Sequence, residues 1–297
     1  MIKSAIFALT EVFMKKILCA LLVLASLLCF ASCGEAPSYP AGTSFYLSSS
    51  VVTDSVQTYA VMSYYNDLDQ KAVEIVRPYA DNKVGRNSVS ITEYTYNAAG
   101  LVDSRVMNNF TTGLKVEQTI AYNDNGDVIE RVTTTTESGK DPVISTYTAE
   151  YTYDAQGRVL TLVENSDGTE VSATYVYVSA DKNDCTVTYV IGETTTTGRQ
   201  IYDKNGDLFV KVDAEGNTTK YRYTYTKTDF DKDGTFEKTL TELVTYDEWE
   251  AVKTKTTYTY DKYGCLVSVN TIDGDNKVIQ KYSHKYSAEK PVYTASR

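Results

Sequence analysis

Tyr151-Thr152-Tyr153-Asp154-Ala155-Gln156-Gly157-Arg158-Val159-Leu160-Thr161-Leu162-Val163 reads as one β-hairpin. The acid at Asp154 suits the first position of a type I turn, where its side chain takes a backbone N–H; the glycine three residues on suits the left-handed conformation. A type I turn closed by a left-handed residue is the three-residue hairpin loop with a bulge, and glycine enters that conformation without steric cost. Before the turn, Tyr151 and Tyr153 keep the two-residue spacing of one strand face. After it comes the more apolar arm Val159 to Val163, the partner strand.

The same wording recurs along the chain. Copies stand at Tyr96-Asn97-Ala98-Ala99-Gly100, Tyr122-Asn123-Asp124-Asn125-Gly126, Tyr202-Asp203-Lys204-Asn205-Gly206, Phe230-Asp231-Lys232-Asp233-Gly234 and Tyr260-Asp261-Lys262-Tyr263-Gly264. Degenerate members lie at Tyr65-Asn66-Asp67-Leu68-Asp69 and around Tyr177, the latter with a longer turn through Asp181 to Asp184. The period is about 28 residues, that of an array. Second turns fall between the motifs at Gly113, Ser138-Gly139, Asp167-Gly168, Glu215-Gly216 and Asp273-Gly274, so each period holds two strands. Val252 to Tyr260 alternates between a Val/Thr/Tyr face and a wetter face with Lys253 and Lys255. No helix signal follows the leader. The fold expected is all-β: an antiparallel meander of about sixteen strands in hairpin repeats, which twist must curl into an open sheet, a shell or a barrel-like form.

The core Tyr-Asp-x-x-Gly-[Arg/Asp/Leu]-[Val/Leu], most faithful in Tyr153 to Val159, resembles the YD repeat of RHS-type proteins over about residues 60 to 285. That family builds curled β-sheet shells around toxin cargo or at cell surfaces. This chain is far shorter and shows neither a self-cleaving core sequence nor a C-terminal toxin domain. The resemblance therefore implies architecture and does not carry the shell-and-cargo function.

The N-terminus reads as a targeting segment. Met14-Lys15-Lys16 is a basic start, Ile17 to Phe30 an apolar run too short to span a bilayer, and Phe30-Ala31-Ser32-Cys33 a small-residue cleavage site ending in cysteine. This resembles a bacterial lipobox, although Phe30 stands where leucine is usual. The resemblance implies cleavage before Cys33, lipidation of its thiol and anchoring to a membrane. An ordinary signal peptide and a spanning anchor are the alternatives. The expected organisation is a leader over 1–32 with Met14 as an alternative start, lipidated Cys33 and a tether over 33–50, and the repeat domain over 51–297. The expected location is the outer membrane, on its periplasmic face or at the cell surface. Cys185 and Cys265, the cysteines left in the repeats, read as small buried hydrophobes.

With 39 acidic against 29 basic residues the chain carries a net charge of −10, which repels phosphate backbones, so nucleic acid is not expected as a partner. The one histidine, His284, sits among strand aromatics and lacks a nucleophile motif around it; no Gly-x-Ser-x-Gly, HExxH or phosphate-binding glycine loop occurs. The function expected is non-enzymatic: an envelope lipoprotein whose sheet serves binding, of a glycan or protein, or surface structure. The alternative is a glycan-acting enzyme with a carboxylate pair brought together across strands. A third reading is a transmembrane barrel, which the lysine-bearing face opposes. Two sets of residues are candidate sites. Asp229, Asp231 and Asp233 before Gly234 match the first half of a calcium loop, without its closing glutamate, and equally satisfy the repeat's own turn rule. Tyr151, Tyr153, Tyr221, Tyr223, Tyr258 and Tyr260 present rings and hydroxyls that suit sugars, or else act as cross-strand glue. No cofactor beyond that calcium is expected.

Overall fold

The computed structural model describes residues 46–54, 57–179, 182–213, 215–230, 236–287 and 290–291. The leader, Cys33 and the start of the tether lie outside the described residues. The strands run β1 (Tyr46–Asp54), β2 (Thr58–Tyr65), β3 (Lys71–Ala80), β4 (Lys83–Val84), β5 (Ser90–Tyr96) and β6 (Val102–Asn109). There follow β7 (Leu114–Tyr122), β8 (Val128–Thr136), β9 (Val143–Tyr153), β10 (Val159–Ser166), β11 (Thr169–Ser179) and β12 (Lys182–Ile191). The chain continues through β13 (Thr194–Tyr202), β14 (Leu208–Val212), β15 (Thr218–Thr228), β16 (Glu237–Tyr246), β17 (Val252–Tyr260), β18 (Leu266–Asp273) and β19 (Val278–Ser287).

Each strand pairs antiparallel with its neighbours in sequence, β4 being a two-residue hairpin that pairs only with β3. The meander does not end in free edges. β1 pairs with β2 on one side and with β19 on the other, so eighteen strands close into a barrel. Eighteen is even, and that lets the last strand run antiparallel to the first. Closure also pairs β1 with β19, the two strands that an open meander would leave as edges, removing that hazard of an open sheet.

The expected number of about sixteen strands falls two short, for a definite reason. Eight tips account for β2 through β18, leaving out β4. The strands they omit are β1 and β19, which have no motif turn because they join each other at the seam. β1 also opens at Tyr46, inside the stretch read above as tether, so the repeat domain begins before residue 51.

The turns follow the motif's chemistry. At the β9–β10 tip the Asp154 N–H donates to the Arg158 carbonyl at 2.9 Å and the Gly157 N–H to the Asp154 carbonyl at 3.0 Å. Asp154 Oδ1 meanwhile accepts the N–H groups of Gln156 and Arg158, both at 2.9 Å. Gly157 lies at φ 77°, and a register shift beside Tyr153 marks the bulge. Asn97, Asn123, Asp203 and Asp261 build the same loop. Two motif positions depart from expectation. Of the turn expected from Asp181 to Asp184 after Tyr177, Asp181 lies outside the described residues, while Asp184 lies within β12, where it accepts the Tyr202 N–H. Phe230 stands beyond the end of β15, packed against Tyr260 at 6.3 Å, whereas the other motif aromatics lie within their strands.

Cross-strand pairing sorts the side chains into two faces. One is a tyrosine face, with Tyr151, Leu162, Ala173 and Tyr189 in one row and Tyr175, Val187 and Gly198 in the next. Its tightest packing is Ala173, Cys185 and Val187 beneath Leu162, Tyr175, Tyr177 and Tyr189. The other face is rich in threonine and charge. Most strand positions are only half-buried, as a single curled sheet without a second layer requires.

Candidate functional site

The motif tyrosines have a structural role that the sequence left open. At the rim carrying the motif turns, β9 is joined to β10 by its tip, whereas β10 and β11 have no chain link there. The Tyr177 hydroxyl bridges that gap, donating to the Val159 carbonyl at 3.0 Å. Tyr65 donates to Leu47, Tyr96 to Lys71, Tyr122 to Val102, Tyr260 to Leu240 and Tyr286 to Leu266 in the same way, each to a carbonyl near the start of the preceding barrel strand. Tyr153 and Tyr225 reach instead to the carboxylates of Asp127 and Asp207 in the preceding tips. Tyr225, not Phe230, thus does this work in its repeat.

Arg158 reinforces one junction. Its guanidinium lies 4.0 Å from the Tyr177 ring centre, pairs with Asp154 at 2.6 Å and donates to the carbonyls of Ser179 and Lys182. Burial pushes the Asp154 carboxyl up, but the backbone N–H groups and the guanidinium together hold it below the usual carboxylate range.

The expected tyrosine candidates separate accordingly. Tyr151 and Tyr153 stack at 6.1 Å, yet Tyr153 is tied to Asp127 and Asn123. Tyr260 is committed to Leu240, and Tyr258 lies opposite Val269 on the same face. Tyr221, Tyr223 and Tyr225 differ, because they border a cleft of about 220 Å³ with Asp203, Asn205 and Phe209. Tyr223 and Tyr225 stack at 6.4 Å with planes 16° apart, and the Lys238 ammonium sits 3.7 Å from the Tyr225 ring centre. Burial and then the charge of Asp207 push the Tyr223 hydroxyl up to about 12, so it is a neutral donor at physiological pH. Phe209 is half exposed because the β13–β14 bulge leaves it without a cross-strand partner. No signal in the sequence marked Phe209 or Asn205 as lining residues, since which tip lies over which strand face depends on register.

Asp203 is held as a turn residue. Burial raises its carboxyl, but the N–H groups of Asn205 and Asp207 and the Asn205 amide bring it below its ordinary value. His284 is buried enough that its pKa is lowered; its Nδ1 lies 2.7 Å from Ser50 Oγ and its ring stacks on Tyr282. Cys185 and Cys265 are buried and unbridged, and burial pushes the Cys185 thiol up. Of the candidate calcium residues, Asp231 and Asp233 lie outside the described residues; among the described ones no cluster of acids, histidines or cysteines has a metal-holding arrangement.

The fold and its clefts define a closed eighteen-strand antiparallel meander barrel. No protein-family profile matches the chain, and no curated protein does. Among solved structures it is similar to a porin-like protein from Bacteroides uniformis, at 15% identity and a TM-score of 0.39, covering 84% of this chain and 100% of that one. A porin-like protein from Bacteroides vulgatus matches at 11% identity and a TM-score of 0.36, covering 82% and 99%. A TcdB2-TccC3-Cdc42 complex matches at 13% identity and a TM-score of 0.24, over 78% of this chain and 15% of that one.

Proposed function

We propose that this chain is a non-enzymatic cell-envelope lipoprotein, anchored at Cys33, whose barrel binds a sugar in the cleft bordered by Tyr221, Tyr223, Tyr225 and Phe209. The observation that carries this reading is the composition of that cleft. Parallel rings at 6.4 Å offer a stacking platform, while Asn205 and the carboxylates of the 203–207 tip supply hydrogen-bonding groups at its border. The hydroxyls of Tyr65, Tyr96, Tyr122, Tyr153, Tyr177, Tyr260 and Tyr286 are spent on the wall.

A barrel working in water fits the faces better than one embedded in lipid. A lipid-facing surface needs an apolar residue at every second strand position. The tyrosine face carries Glu74, Arg105, Gln118, Arg131 and Glu164 along its strands, and the other face carries Glu117, Glu150, Arg199, Glu242 and Lys255. A glycan-acting enzyme has one observation in its favour, the presence of both Asp203 and Asp207 at the cleft. The lowered pKa of Asp203 unfits it as the general acid of such a pair, since that role needs the opposite shift.

A glycan array probed with the chain lacking residues 1–33 tests the binding. Binding that is lost in Tyr223→Ala and Phe209→Ala supports the reading; no bound glycan overturns it. Acyl labelling of cells expressing the full chain and its Cys33→Ser variant tests the anchor, and label persisting in the variant overturns that part.

A further inference from the structure

A second cleft, larger than the tyrosine cleft and away from it, lies at the seam, and its charge is opposite to that of the chain. It encloses about 910 Å³ between β1, β2, β3 and β19, with the hairpin that links β3 to β4 over it. That volume is in the range of cofactor and metabolite sites, about 300–1,000 Å³. Register shows how it is built. Arg77 lies opposite Ala60, Ala60 opposite Val51 and Val51 opposite Ser283, so one row crosses four strands on the threonine-rich face. Lys281 and Lys285 flank Ser283 at two residues either side, which puts them on that same face. Ala60, only 2% exposed, leaves space in the middle of the row.

We propose that this seam cleft binds an oxyanion, a carboxylate, sulfate or phosphate group, held by Arg77, Lys281 and Lys285. Three cations elsewhere on this face are neutralised by carboxylates: Lys255 pairs with Glu242 at 2.6 Å, Lys115 with Glu117 at 2.7 Å and Lys220 with Glu250 at 3.1 Å. Arg77, Lys281 and Lys285 form no ion pair among the described residues. Moreover, the Arg77 Nε is buried and donates to nothing. A buried guanidinium N–H without an acceptor costs free energy that a ligand acceptor would recover. The one acid lining the cleft, Asp81, sits at the β3–β4 hairpin, and the neutral lining includes the hydroxyls of Ser49, Thr58 and Ser283. In a chain of net charge −10, three unpaired cations around one cleft constitute a local positive field that favours an anion over the surrounding acidic surface.

Calorimetric titration of the chain lacking residues 1–33, at constant ionic strength, separates the two sources of such a group. One arm uses sodium sulfate and inorganic phosphate, the other a sulfated tetrasaccharide. Saturable binding in either arm is expected, the first meaning a free anion and the second a sugar-borne one. Arg77→Gln should weaken it by about tenfold or more, and so should the double change Lys281→Gln with Lys285→Gln, which leaves the buried row intact. Lys253→Gln, on the same face outside the cleft, should leave it unchanged. No saturable binding in either arm up to about 10 mM overturns the proposal. Equal weakening by Lys253→Gln overturns it as well, since it would mean unspecific attraction.

Discussion

The Tyr260 hydroxyl donates to the Leu240 carbonyl at 3.0 Å, tying β17 to β16 at the rim where no turn connects them. The bond explains why the motif calls for tyrosine where phenylalanine would fill the same space. Tyr260→Phe and Tyr122→Phe should each lower stability by about 0.5–1.5 kcal/mol, because a half-buried carbonyl loses its donor while packing stays unchanged. Chemical denaturation measures this; a double variant should be additive, as the two bonds lie in separate repeats. An unchanged midpoint in both would remove the tyrosine ring as a stabilising device.

Glu250 occupies the left-handed position at φ 66° that glycine takes in most tips. Glu250→Gly should raise stability by about 1 kcal/mol, relieving Cβ strain at the cost of an exposed pair with Lys220 that contributes little. A thermal shift of about 2–4 °C upward is the expected reading. Asp69, at φ 61°, should gain less on change to glycine, because it also holds Lys290 at 2.7 Å and accepts from Tyr46.

Arg158 holds Asp154 and two carbonyls while stacking on Tyr177. Lysine can keep the charge but not the planar fork, so Arg158→Lys should cost about 1–2 kcal/mol, most of the effect of Arg158→Ala. Equal stability of the lysine variant and the parent would show that charge alone matters at this junction.

Gly198 has extended backbone, so its constraint is space. A Cβ there would lie 2.5 Å from the Val212 carbonyl oxygen and 3.1 Å from Tyr189 Cε2. Gly198→Ala should therefore destabilise by about 1–3 kcal/mol, although alanine is the better strand former. Urea unfolding at matched conditions decides it.

Asp154, Asp203 and Asp213 all have carboxyls held below their ordinary value by tip N–H groups, against the opposing effect of burial. A lowered folded pKa means that this stabilisation is present above the unfolded value, about 3.9, and is lost as pH falls through the folded one. Unfolding midpoints should fall steeply below about pH 4. Asp203→Asn should flatten that fall while keeping its turn, since Asn123 Oδ1 already accepts the same two N–H groups in its own tip.

Much of this was readable beforehand. The tips, their bulges, the position of the glycines and the second set of turns all follow from side chains that act within five residues of themselves. The turn at Tyr246-Asp247-Glu248-Trp249-Glu250 lacks the motif's glycine, because a glutamate fills that place. The role of Phe230 was misread for the converse reason: the local wording is right, but β15 ends before it. Neither cleft was legible, since Phe209 and Tyr223 line one cleft only through the register of β14 on β15, and Arg77 and Lys281 line the other only through pairings between strands about 200 residues apart in the chain.

By itself, then, the sequence determined that this protein is a chain of β-hairpins with one turn chemistry and alternating faces, because turns and pleats are local. Tertiary structure alone decided that the meander closes, that β1 pairs with β19 and that eighteen strands form the barrel. The partners at the seam are about 230 residues apart, and no local preference specifies such a pairing. The seam is also what assembles the cationic cleft, from residues that carry no motif of their own.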